Sequence, residues 1–239
     1  MINRANNFPE NDEDLSFINT NFNLCPSVNI KTSSGYLKHI KNITFVPRSG
    51  THNNFISNEE IIIYVISGEL TYDDSTGEQK LLKRGSTLYV YGDSGITYNI
   101  FNNGIDYLDI LVLSVDTSHY TKKNSNISVP ITIVTAEKDS ENQWNYKVSP
   151  KNGLASIKSF SDINIYTLEL SAMKSIDFEI KKERTGFLIQ CYGESFMTAL
   201  TSNKNYKLQG ADGLKISSEE FNIKSEIDSN FVLIEAPQY

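Results

Sequence analysis

The sequence predicts an all-β protein built from two small barrels in tandem. Apolar, β-branched runs of strand length recur along the 239 residues, punctuated by Gly, Asp and Asn, with no long stretch of helical period. Aromatic residues make up 11% of the chain, a content that suits pleated, half-buried strands. The third observation is an internal echo. Tyr64-Val65-Ile66-Ser67-Gly68-Glu69-Leu70 leads to Gly85 at the same interval at which Leu188-Ile189-Gln190-Cys191-Tyr192-Gly193-Glu194 leads to Gly210, counting from Gly68 and Gly193. Each half reads as apolar strand, glycine turn, hairpin, glycine, next strand, the pattern of a duplicated unit.

Taken in order, residues 1–26 are polar, with Phe8, Phe17 and Phe22. They read as a frayed start, then irregular chain or a short strand packed across the second barrel. A strand over Tyr36–Phe45 is ended by Pro47. Strands follow over Glu60–Leu70, Gln79–Leu82, Thr87–Val90, Ile96–Phe101 and Tyr107–Val115, the first two joined by the turn-forming Asp73-Asp74-Ser75-Thr76-Gly77. The polar run His119–Asn126 marks a linker, which places the domains at 1–125 and 126–239. Ile131–Thr135 reads as a strand and Glu137–Asn145 as solvated loop or a helical turn. The second β series covers Ala155–Lys158, Ile163–Leu170, Ser175–Ile180, Gly186–Tyr192, Ser195–Thr201, Leu214–Ile216 and Phe231–Glu235.

Composition excludes several classes of function. Net charge is −7, and no basic run exceeds Lys181-Lys182, which argues against nucleic acid and anionic membrane surfaces as partners. No apolar run approaches the roughly 20 residues of a membrane span. The N-terminus lacks the apolar region of a signal peptide. Cys25 and Cys191 form neither a disulfide framework nor a CxxC site. The expectation is a cytoplasmic protein, monomeric or weakly dimeric. Asn42-Ile43-Thr44 and Asn126-Ile127-Ser128 match the glycosylation sequon and read as chance.

The stretch Gly50–Asn102 carries a resemblance. GTHNNFISNEEIIIYVISGELTYDDSTGEQ, followed by RGSTLYVYGDSGITYNIFN, resembles the first barrel of the pirin-like bicupins of the cupin superfamily. The likeness extends through the rest of the chain to FVLIEAP. It implies two cupin barrels (double-stranded β-helix, jelly-roll-like) in one chain, in a family whose members are called pirins or quercetin dioxygenases. Metal-bearing members supply an H-x-H pair and then a histidine and a glutamate. Here Asn54 and Ile56 fall on the first pair, Tyr98 and Ile100 on the second. Isoleucine has no donor atom, a neutral phenol is a weak ligand, and an amide oxygen is a poor substitute for imidazole.

The resemblance therefore implies a degenerate, metal-free and non-catalytic bicupin with no cofactor. Its first barrel would bind a small organic ligand through His52, Asn54, Ile56, Glu60, Tyr98 and Ile100, or its surface would serve a regulatory protein contact. Two alternatives stand beside it. If residues 52, 54, 56 and 60 share one face, as their parity on a regular strand suggests, His52, Asn54 and Glu60 could hold Fe, Ni, Cu or Zn in a quercetin-type dioxygenase. A thiol redox sensor would act through Cys25 or Cys191. The bland reading puts His52 at the barrel rim and Glu60 on a tyrosine. Gly92-Asp93-Ser94-Gly95, preceded by His39 or His52 and by Asp73 or Asp74, matches a protease order, but these are also turn residues and a triad is defined by geometry. In Glu59-Glu60 and Glu219-Glu220 one residue should face in and the other out. Tyr64, Tyr89, Tyr91, Tyr98 and Phe101 are core material first.

Overall fold

A computed structural model describes residues 15–17, 37–92, 95–117, 140–151 and 153–237. Among these residues every regular element is a strand, the ladders are antiparallel, and no helix is long and apolar enough to cross a membrane. The chain divides into two units.

The first unit contains β2 (Leu37–Phe45), β3 (Ser49–Ile56), β4 (Glu59–Ser67), β5 (Glu69–Asp74), β6 (Gln79–Lys83), β7 (Thr87–Gly92), β8 (Ile96–Asn102) and β9 (Leu108–Asp116). They form two four-stranded sheets, β2-β9-β4-β7 and β3-β8-β5-β6. Between the sheets lies a core that includes Ile61, Ile63, Val65, Leu70, Tyr72, Leu88, Val90, Ile110 and Val112. The second unit contains β1 (Leu15–Phe17), β10 (Asn145–Ser149), β12 (Asn164–Leu170), β13 (Ser175–Glu179), β14 (Arg184–Tyr192), β15 (Glu194–Ala199), β16 (Lys204–Gln209), β17 (Asp212–Ser217), β18 (Glu220–Ser225) and β19 (Ser229–Pro237). Its sheets run β1-β17-β14-β19-β12-β10 and β13-β18-β15-β16 around a core with Leu168, Leu188, Met197, Phe221, Phe231 and Leu233.

Strand order proves the duplication. Each strand of the first unit has its counterpart ten labels later, in the same place in the same sheet. The echoing glycines mark the equivalent β4–β5 and β14–β15 corners, where Gly68 and Gly193 both have positive φ, 81° and 98°. The second pair of the echo is looser. Gly85 is left-handed, whereas in the second unit the left-handed residue is Ala211, one position after Gly210.

Connectivity is less simple than two consecutive halves. Ser149–Asp162, with β11 (Ile157–Lys158), belongs to the first unit. The N-terminal β1 belongs to the second, pairing Leu15 with Ile216 and Phe17 with Leu214 on β17. The expected strand over Ile131–Thr135 lies outside the described residues. Strands β3, β10, β16 and β18 were not expected, being rich in Asn, Lys and Gly. The run expected as one strand over Glu60–Leu70 is two, broken at Gly68.

Gly68 and Gly85 share φ 81° but not their surroundings. A Cβ on Gly68 would lie 2.6 Å from the Tyr107 carbonyl oxygen and 2.9 Å from Leu108 Cα, whereas one on Gly85 meets nothing within 4 Å. Gly85→Ala is expected to cost about 1–2 kcal/mol, the left-handed penalty alone, and Gly68→Ala clearly more. Urea unfolding of the two variants measures the difference.

Candidate functional site

Two local features decide which side chains enter the first barrel. The first is a bulge on β3. Thr51 pairs with Ile100 and Asn54 with Tyr98, so His52 and Asn53 together oppose a single residue of β8. Asn53 takes φ 55°, a conformation asparagine tolerates, and its backbone N–H donates to Asn99 Oδ1 at 2.8 Å. Thr51, Asn54 and Ile56 consequently share the inner side with Ile96, Tyr98 and Ile100. His52 is turned out: it is exposed and rests edge-on against Phe101, ring centroids 4.3 Å apart. The Asn54 amide is engaged, donating to Thr51 Oγ1 at 2.8 Å and to the Tyr98 carbonyl at 3.2 Å. Tyr98 stacks with Tyr72 at 6.0 Å.

The second feature is the turn at Ser57 and Asn58, where Asn58 takes φ 54°. After it, Ile61, Ile63 and Val65 point into the core, which leaves Glu60 on the opposite face of β4. There Glu60 is fully buried. It accepts hydrogen bonds from Tyr89 Oη at 2.5 Å, from the Ser161 N–H at 3.1 Å, and from Ser161 Oγ and the Phe160 N–H. Phe160 stacks on Tyr91 at 5.3 Å. Burial raises the Glu60 carboxyl above its ordinary range, against the pull of these donors. Glu60 thus bonds a tyrosine and anchors the Ser149–Asp162 segment. The shared face expected for His52, Asn54 and Glu60 does not form, because strand parity does not survive a bulge and a turn.

The carboxylate on the inner face is Glu59, which residue types alone did not single out. It pairs with Asp116 and Gly92 and has the parity of Ile61. Ser114 Oγ donates to it at 2.9 Å and Lys38 forms an ion pair with it. His39, opposite Ser114 on β2, stands close by. Burial, with Lys41 and Lys38 adding to it and Glu59 opposing, pushes the His39 imidazole down to about 4. Burial, reinforced by Glu59, pushes the Tyr98 phenol up to about 12. The signal that could have found Glu59 is the apolar alternation 61, 63, 65 counted backwards from Gly68.

With this geometry in hand, comparison places the chain. Residues 147–236 match the family described as the quercetinase C-terminal cupin domain. No curated protein matches in sequence. Among solved structures, YhhW from Escherichia coli matches with a TM-score of 0.75 at 18% identity, over 96% of this chain and 93% of that one. A second structure, described as the bacterial pirin YhhW in complex with nickel(II), gives 0.74 at 18%, over 96% and 94%. A quercetin 2,3-dioxygenase from Acinetobacter baumannii gives 0.72 at 14%, over 94% and 86%. This chain has the bicupin fold.

In this bicupin the four positions that carry metal ligands by resemblance do lie on one inner face, as an engaged amide, a phenol held neutral and two hydrocarbons. Such a donor set does not fit a divalent transition metal. Among the described residues no group of three or more His, Cys, Asp or Glu converges. The protease order finds no geometry either. The Asp74 carboxylate is taken by Tyr72 Oη, Thr76 and the Glu78 N–H, and Asp73 accepts from Asn99 Nδ2; Asp93 and Ser94 lie outside the described residues. Cys191 is buried, and burial pushes its thiol well up, which opposes a role as a reactive thiolate. Cys25 lies outside the described residues. The Asn42 sequon sits on β2 with its side-chain amide buried.

Two predictions follow from the electrostatics. Glu60→Gln puts an amide N–H among donors, and is expected to cost about 3 kcal/mol in urea unfolding, the scale of breaking charge-assisted buried hydrogen bonds. His39 has a folded value near 4, below its ordinary 6.5. The unfolded chain therefore binds the proton more readily, so the stability due to this group is present above pH 6.5 and lost as pH falls toward 4. An NMR titration should place the His39 midpoint near 4, and His39→Gln should flatten the fall in stability across that window.

Proposed function

We propose that this bicupin is a metal-free, non-catalytic protein of the cytoplasm whose first barrel binds a small organic ligand. The observation that carries the reading is the inner row Asn54, Ile56, Tyr98 and Ile100, in which no strong metal ligand stands where the fold's metal-bearing members would need one. Hydrocarbon from Ile56, Ile96 and Ile100, with the Tyr72–Tyr98 stack, offers apolar walls. Asn54 Oδ1, the Tyr98 phenol and the Glu59 carboxylate offer polar groups to orient a ligand. His52 and Glu60 have no part in that interior. Glu59 replaces Glu60 as its carboxylate.

The second reading, a metal-dependent dioxygenase, is favoured by the names of the structural neighbours, one of them a nickel(II) complex. The two readings part on metal content. Protein purified without chelators should contain no stoichiometric Fe, Ni, Cu, Mn or Zn by elemental analysis, and added nickel(II) should leave its melting temperature unchanged. The quadruple variant Asn54→His, Ile56→His, Tyr98→His, Ile100→Glu should gain a nickel-dependent rise in melting temperature, because ligand binding to the folded state stabilises it. Near-equimolar metal in the unaltered protein overturns the proposal and leaves the oxygenase.

A further inference from the structure

At one end of the second barrel the inward face is polar at two places where that of the first is apolar. Gln190 on β14, Ser195 on β15 and Ser225 on β18 share the inward face with Leu188, Met197 and Ile223 of the core, and all three are fully buried. Ser195 stands opposite Ser225 in the ladder, and its hydroxyl donates to Gln190 Oε1 at 2.5 Å. Two atoms are left over. Gln190 Nε2 and Ser225 Oγ are buried and have no hydrogen-bond partner among the described residues. Turning the amide over only changes which of its two atoms is left.

The first barrel shows that the fold does not require this. Val65 and Leu70 take the places of Gln190 and Ser195 and belong to the apolar core. Asn102 stands where Ser225 does, one step beyond the Thr71–Phe101 pair, and its amide is used in full. Its Nδ2 donates to the carbonyls of Phe45 and Asp106 at 3.0 and 2.7 Å, and its Oδ1 accepts from the Gly104 N–H at 3.0 Å. Leaving a buried amide N–H and a hydroxyl unpaired would each shift folding by roughly ten-fold toward the unfolded state. Buried polar groups in native proteins are nearly always satisfied, by ordered water where protein atoms fail.

We propose that Gln190, Ser195 and Ser225 form the binding site of one ordered water molecule in the second barrel. The water accepts from Gln190 Nε2 and donates to Ser225 Oγ and to Ser195 Oγ, whose own proton is committed to Gln190 Oε1. Opposed residues of an antiparallel ladder have Cα atoms about 4.5–5.5 Å apart with side chains on one face, so the two hydroxyls are neighbours and the amide already touches one of them. Three bonds to a water are the usual number for a buried site. All three side chains are neutral, which suits water rather than an ion.

The sign of a mutational effect tests this. Ser225→Ala removes a satisfied hydroxyl if the water is bound and an orphan if it is not. It is expected to move the unfolding equilibrium about five-fold toward the unfolded state, the weight of one net hydrogen bond. Gln190→Leu with Ser225→Ala should cost less than the two separate losses, because both act through the same water. Oxygen-17 magnetic relaxation dispersion should count one fewer long-lived water in Ser225→Ala than in the unaltered protein, a readout that does not depend on the Gln190 variant folding. Ser225→Ala with unchanged or raised stability, or an unchanged count of long-lived waters, overturns the proposal.

Discussion

Two asparagines in left-handed conformation, Asn53 and Asn58, govern the interior of the first barrel. Each interrupts the two-residue alternation of a strand, one in the bulge of β3 and one in the turn before β4. Between them they turn His52 to solvent, bring Thr51 inside, place Glu59 on the inner face and send Glu60 to the other side of its sheet. Every chemical statement about the site depends on these two residues, because a slip of one position exchanges inner and outer faces along a whole strand. Asparagine is among the few residues that adopt this backbone geometry at modest cost.

The fold was legible in the sequence to the extent that strands were apolar. The run Ile61–Ile66, the Leu108–Val115 strand and the final Phe231–Glu235 strand declare themselves through β-branched residues buried on both faces. Strands such as β3, β16 and β18 carry Asn, Lys and Gly because at least one face meets solvent, and alternation over six residues is a faint signal beside loop composition. The row Asn54, Ile56, Tyr98 and Ile100 was legible by resemblance, and the ladder holds it together. His52 and Glu60 were misplaced by the same argument, parity carried through segments that are not regular strand. The principle that one member of Glu59-Glu60 faces in was sound, but parity cannot choose between them until the turn at Asn58 is known.

The two barrels, equal in strand order, have diverged in how they fill the same places. Where the first sets Glu59 beside Ser114, the second sets Arg184 beside Glu235, with Arg184 Nε 3.3 Å from the carboxylate and Asn164 Nδ2 donating to it at 2.8 Å. Tyr166 adds a bond to the same oxygen and joins Trp144 and Phe178 in an aromatic cluster. The polar groups at that end of the second barrel thus bond largely to one another. At the corresponding end of the first barrel, Glu59 accepts from Ser114 and pairs with Lys38, and its charge acts on His39 and Tyr98.

The exchange of segments between the units bears on how the protein can be made. Strand β1 leaves the ribosome first, yet its partner β17 is synthesised almost last, so the N-terminus must wait, unpaired, through most of translation. The loop that settles onto Glu60 likewise emerges after the barrel it caps. Neither half of the gene encodes a finished barrel, and cutting the chain at its middle would strip each piece of a part held by the other. Once duplicated and interlaced in this way, the two copies could drift in chemistry but could no longer be lost singly.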